Sequence, residues 1–180
     1  MTLVFDPDAI LRTLIRRDVR FVVIGGLAGN ILGSADVTND LDICYARDQE
    51  NLERLADALR DLGAHLRVAR EPDANLPFRL DAATLKAGDT FTFATEHGDL
   101  DVLGTPSGTE GFDDLDRSAT AVELGAGFAV HVASIDDLMR MKRASGRTKD
   151  LLHLEHLAAL REEIEAFRDQ GLDPQQGDPG

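Results

Sequence analysis

The sequence predicts an α/β domain, and three observations carry that reading. Residues 21–45, FVVIGGLAGNILGSADVTNDLDICY, read as strand, glycine turn, short helix, polar loop and second strand. Residues 48–62 hold an amphipathic helix that extends this stretch to an αβαβα run. Residues 90–103 and 120–132 each read as two strands around a glycine-containing turn, the pattern of antiparallel hairpins.

Taken in order, Asp6-Pro7-Asp8 has the composition of a helix start, with proline in the first turn. Ile10, Leu11, Leu14 and Ile15 follow at helical spacing, and Arg12, Arg16 and Arg17 fill the solvated side. Phe21-Val22-Val23-Ile24 is a short β-branched apolar run, as in a buried strand. At Gly25-Gly26 a backbone without side chains can turn sharply or approach a ligand closely. Leu27 to Leu32 fits a short helix stopped at Gly33, and Asp40 to Tyr45 a second strand. In the helix from Asp48 to Leu62, Leu52, Leu55, Ala56 and Leu59 form the apolar stripe and Gly63 the stop. His65–Ala69 and Phe78–Asp81 are expected as strands on either side of a turn-rich loop. Thr90–Thr95 and Asp99–Leu103 form the first hairpin, and 105–117 is a polar link. Thr120–Leu124 and Phe128–Val132 form the second hairpin. Ser134 is suited to cap a helix carrying Leu138 and Met141, with Asp136 and Asp137 in its first turn. Leu151 to Phe167 completes the fold as a last helix. The expected organisation is one domain over 1–167, its C-terminal helices beginning near 134, then a loose tail over 168–180.

At 43% hydrophobic residues the chain can bury a real core. A formal net charge of -14 argues against broad attraction to nucleic acid while leaving room for a local basic patch. No eighteen-residue apolar run suggests a membrane span, and MTLVFDPDA lacks the order of a signal peptide. The single cysteine, Cys44, permits no internal disulfide and reads as a packed thiol. A cytoplasmic location is the expectation.

The chemistry concentrates in acids. Strand alternation puts Asp40 and Asp42 on one face and Leu41 and Ile43 on the other. Two carboxylates on one face repel each other, and a hard divalent cation such as Mg²⁺ offsets that repulsion. The same spacing fits a solvated strand face. The preceding strand, glycine pair and helix favour the metal site. Asp101, inside the strand leading to Val102-Leu103, is the candidate third carboxylate, with Asp99 in reserve.

Gly25-Gly26, thirteen residues, then Asp40-Leu41-Asp42 resembles the signature of the DNA polymerase beta-like nucleotidyltransferase superfamily. The resemblance implies a mixed β-sheet flanked by helices, with the acids meeting on one sheet face. It implies that Gly25 and Gly26 hold the triphosphate of a nucleoside triphosphate. Asp40, Asp42 and Asp101 would bind Mg²⁺, two ions in all, or Asp101 would serve as general base.

A second stretch adds to this. Lys142, four residues, Arg147, one residue, then Lys149-Asp150 is similar to a motif of abortive-infection (AbiE-type) nucleotidyltransferases, which include toxins. The resemblance implies that Lys142, Arg147 and Lys149 meet nucleotide phosphates, and that Asp150 holds a basic side chain or caps the last helix. It brings a transfer RNA end as possible acceptor and a cognate antitoxin or toxin as possible partner. Relatives often carry a basic residue four positions before the acidic pair. Here Asp36 stands there, removing a possible phosphate contact and adding an acid. Thr38 matches the usual hydroxyl, able to hold the loop or touch phosphate. Three functions stay open: transfer of a nucleotide to RNA, transfer to a protein or small molecule, and non-catalytic binding on the same fold. His97, His153 and His156 read as turn, surface or packing residues.

Overall fold

The computed structural model describes residues 5–67, 78–148 and 150–171. Helix α1 (Pro7–Arg16) starts where Asp6 accepts a hydrogen bond from the Ala9 amide at 3.1 Å, and it buries Ile10, Leu11 and Leu14. Strand β1 (Phe21–Ile24) is buried throughout, as its unbroken apolar sequence requires. Helix α2 (Gly25–Leu32) follows directly and ends at Gly33, whose φ of 116° suits a residue without a Cβ. Strand β2 (Asp40–Tyr45) and helix α3 (Gln49–Asp61) come next, with the Asp48 carboxylate accepting from the Asn51 amide at 3.1 Å. After β3 (His65–Leu66) come α4 (Ala82–Ala87), β4 (Thr90–Thr95), β5 (Gly98–Leu103) and α5 (Phe112–Asp116). The chain then runs through β6 (Thr120–Glu123), β7 (Ala129–Val132), α6 (Ile135–Ser145) and α7 (Asp150–Asp169).

Among the described residues the strands form one mixed sheet in the order β3-β4-β5-β2-β1-β7-β6. Two of its pairings are parallel, β2 with β5 and β1 with β7, and the rest are antiparallel. The parallel pairing of β2 with β5 positions the site, because it sets Asp42 directly beside Asp101. Leu41 and Ile43, on the other face of β2, are wholly buried. Burying such side chains stabilises by roughly 1.5–3 kcal/mol each, so the register that aligns the acids is fixed by the core behind them. Helices α2, α6 and α7 pack together, and α3 packs with α1 and α4. No described helix is long and apolar enough to cross a membrane.

The expected strand at Phe78–Asp81 is not formed. Phe78 packs edge-on against Phe93 at 6.0 Å between ring centroids, and Asp81 caps α4 by accepting from the Thr84 amide at 2.8 Å. Residues 105–117 contain α5, whose five residues are too short for a periodic signal. Helix α2 begins two residues early and takes in the glycine pair. Strand β3 ends at Leu66; Arg67, expected in it, is described and lies outside the strand, while residues 68–77, with the rest of the expected strand, lie outside the described set. Helix α7 continues past Phe167 to Asp169, and most of the expected tail lies outside the described residues.

The Ser134 cap is present: its hydroxyl accepts from the Asp137 amide at 3.1 Å and donates to the Asp137 carboxylate at 2.8 Å. Ser134→Ala is expected to cost about 1–2 kcal/mol, the usual worth of a helix N-cap. A lower urea midpoint with unchanged slope is the signature of that loss.

Candidate active site

The acids, the glycines and the cations meet around one cavity of about 410 Å³. Its floor is the central part of the sheet, where β2 and β5 carry Asp40, Asp42 and Asp101, and Lys142 and Arg147 also line it. The glycine pair lies against the acidic strand. A Cβ added to Gly25 would overlap Asp42 Oδ2 and stand 2.8 Å from its Cγ, and one added to Gly26 would stand 2.9 Å from Thr38 Oγ1. Gly25 also has φ of 69°, where side chains are rarely tolerated. So these two glycines are needed to let helix and acids approach each other.

Each acid has a different environment. Thr38 Oγ1 donates to Asp40 Oδ1 at 2.9 Å, so this hydroxyl orients a candidate metal ligand. Burial, then the neighbouring charges of Asp40 and Asp101, push the Asp42 carboxyl up to about 7, against the pull of Lys142 and Arg147. Asp101 is also raised, chiefly by burial, and its Oδ1 is buried without a hydrogen-bond partner. The reserve candidate, Asp99, is engaged elsewhere, accepting from Arg67 Nη1 at 2.6 Å.

The donor chemistry suits a hard divalent cation. Asp40, Asp42 and Asp101 offer only carboxylate oxygens, and one of these is buried with nothing to bind it. Among the described residues no three His, Cys, Asp or Glu side chains form a closed metal-holding group. The site thus presents ligands on two adjacent central strands, not a finished cage.

On the cationic wall, Lys142 Nζ lies 3.5 Å from Asp150 Oδ1, and Asp150 Oδ2 accepts from Ser145 Oγ at 2.6 Å. Although burial opposes its charge, these partners hold Asp150 below the ordinary carboxylate range. Asp150 therefore steadies a basic side chain, one of its two expected roles. Lys149 lies outside the described residues.

Two histidines expected as surface or packing residues belong to the site's surroundings. His153 lines the cavity, with Nδ1 3.3 Å from Lys142 Nζ. His156 Nδ1 lies 2.7 Å from Asp36 Oδ1, and Ser34 Oγ donates to the other Asp36 oxygen at 3.0 Å. Burial works against the charge on Asp36, but these hydrogen bonds outweigh it and lower its pKa. Asp36 is thus tied to α7. The signal for this was the complementary pair itself, Asp36 and His156, which 120 residues of separation hid.

No family model matches the sequence, and no curated protein matches it. Among solved structures the chain is similar to the lincosamide antibiotic adenylyltransferase LnuA in its lincomycin-bound form. The TM-score is 0.57 at 15% identity, covering 88% of this chain and 99% of that one. It is also similar to the antibiotic-resistance factor ANT(2'')-Ia in solution, with TM-score 0.54 at 17% identity, covering 91% of this chain and 90% of that one. The mixed seven-stranded sheet, its flanking helices and these likenesses together show that the chain has the nucleotidyltransferase fold.

Proposed function

We propose that this chain is a Mg²⁺-dependent nucleotidyltransferase, moving a nucleoside monophosphate from a nucleoside triphosphate to a hydroxyl acceptor. The observation that carries the reading is the direct pairing of Asp42 with Asp101 across β2 and β5, beside Asp40 and beneath the cavity that Lys142 and Arg147 wall. Asp40, Asp42 and Asp101 would hold Mg²⁺, as two ions. The metal's contribution when bound is to offset charge on the attacking and leaving oxygens.

The chain's own residues do the rest. Gly25 and Gly26 keep side chains away from where the triphosphate would approach. Thr38 holds Asp40 in one orientation. Lys142 and Arg147, with Lys149 as a further candidate, offset the charge of departing pyrophosphate. The acceptor oxygen forms a bond to the α-phosphorus as the bond to the β-phosphate oxygen breaks. The hydroxyl proton passes to a carboxylate, the role of Asp101 if it serves as general base instead of metal ligand.

Two acceptor classes have support. The spacing of Lys142 and Arg147, similar to AbiE-type enzymes, supports a transfer RNA end, with a cognate antitoxin or toxin as partner. The names of the two neighbours, which modify or resist antibiotics, support a small hydroxyl-bearing molecule. Incubation of the full chain with each labelled nucleoside triphosphate, Mg²⁺ and either total transfer RNA or a small-molecule panel separates them by where label appears. Asp101→Asn is expected to lower the rate on the order of a hundredfold or more, the scale of losing a proton acceptor. Failure to bind any triphosphate by calorimetry with Mg²⁺ present would sink the proposal in favour of a non-catalytic role.

A further inference from the structure

A second cavity, of about 270 Å³, lies where α6 gives way to α7. Lys142 and Arg147 line both cavities, so one cationic wall separates two chambers. The second chamber adds Arg143, Thr148, Leu151 and Leu154, and no carboxylate is among its lining residues. Three cations gathered in this way stand out in a chain of net charge -14.

Lys142 is paired with Asp150, but the other two are open. Eleven described arginines hold a carboxylate within 4.0 Å, but among the described residues Arg143 and Arg147 hold none. In this protein the common fate of an arginine is an ion pair, so two left open beside a cavity are available to an external anion. Leu151, also on the lining, is 62% exposed. An open guanidinium and an exposed aliphatic surface together suit a ligand with an anionic group joined to an apolar or planar body.

We propose that this second cavity is the acceptor subsite, and that it takes a phosphate-bearing hydroxyl compound. The inference rests on the nucleotidyl-transfer reading and specifies its acceptor. Arg143 meets the acceptor's phosphate in bidentate fashion, while Leu151 and Leu154 support its base or other apolar part. The shared wall of Lys142 and Arg147 then brings the acceptor hydroxyl toward the triphosphate. That hydroxyl oxygen bonds to the α-phosphorus, pyrophosphate leaves, and the proton goes to Asp101. A polycationic acceptor is disfavoured, because it would enter against the uncompensated charges of Arg143 and Arg147.

The test uses the full chain with Mg²⁺ and labelled nucleoside triphosphate. Acceptors are a ribonucleoside monophosphate, a terminally phosphorylated dinucleotide, the same dinucleotide without that phosphate, total transfer RNA and a polycationic aminoglycoside. The phosphate-bearing compounds are expected to accept label, and comparison of the mononucleotide with transfer RNA identifies the source of the phosphate. Arg143→Glu is expected to raise the acceptor KM by about tenfold or more, the worth of a lost charge-assisted bond, with Arg143→Lys intermediate. The Kd for the triphosphate, read by calorimetry, should stay within about twofold, since Arg143 lines only the second cavity. Transfer that proceeds with an unchanged acceptor KM in Arg143→Glu, or that prefers the aminoglycoside, overturns the subsite and leaves the transferase reading standing. Absence of triphosphate binding overturns both.

Discussion

Asp42→Asn is expected to abolish nucleotidyl transfer and, at the same time, to stabilise the folded protein above neutral pH. Asp42 carries a pKa of about 7 in the folded chain against a usual 3.8, because burial and the charges of Asp40 and Asp101 disfavour its ionised form. For an acid raised in this way the sign is unusual among carboxylates. The stability associated with its neutral form is complete below the unfolded value and is lost as pH rises through about 7. Ionising Asp42 thus costs the folded state up to about 4 kcal/mol between pH 4 and pH 8. An asparagine of the same shape never pays it.

The two proteins should therefore unfold alike near about pH 4 and diverge as pH rises. Near pH 8, without divalent ions, the variant is expected to melt on the order of 10 °C higher. Added Mg²⁺ should raise the melting temperature of the wild type and leave the variant nearly unmoved. Thermal melts at both pH values, with transfer assayed beside them, make the comparison. Equal melting near pH 8 would show that Asp42 is not held in an adverse environment, and retained transfer would remove it from the chemistry.

Gly25→Ala carries the second large effect. The added methyl would meet Asp42 along its whole length, from Oδ2 to a Cβ only 3.0 Å away, so no rotation of the carboxylate alone relieves the clash. Either α2 or β2 must shift, and both belong to the site. The left-handed backbone adds about 1 kcal/mol of its own. Transfer is expected to fall on the order of a hundredfold, the scale set by a misplaced reacting group. Gly127→Ala separates the two causes. It has a similar φ of 72° with nothing within 4 Å, so it should lose only the backbone term and keep full activity. Equal activity of Gly25→Ala and wild type would mean that the packing of α2 on the acidic strand does not matter.

Much of this site was legible because its residues announce themselves locally. Asp40 and Asp42 are separated by one fully buried leucine, and Asp101 leads into apolar Val102. Period-two alternation therefore fixed their faces without any structure. The sequence could not show why the glycines are there. A sharp turn or close approach to a ligand was readable there, but not that the space around them is taken by Asp42 and Thr38. Asp36 was misleading for a similar reason. Its missing phosphate contact was readable, but its bond to His156 is tertiary and has no local signal. Elements α4 and α5 were missed because six and five residues make too few turns for a hydrophobic stripe to repeat. Asp81 ahead of an alanine-rich run was a usable N-cap clue for α4 that strand propensity at Phe78 obscured.

The bond between Asp36 and His156 also bears on how the molecule is made. During synthesis from the N-terminus, the diglycine helix and the Asp40–Asp42 strand emerge long before α7 does. Strand β1 lies between β2 and β7, so its second neighbour is likewise supplied late. A ribosome-bound fragment that stops short of residue 150 would have its three carboxylates but neither Arg147's following helix nor the anchor for the Asp36 loop. The loop that carries Asp36 therefore gains its anchor only once residue 156 has been made and α7 has docked.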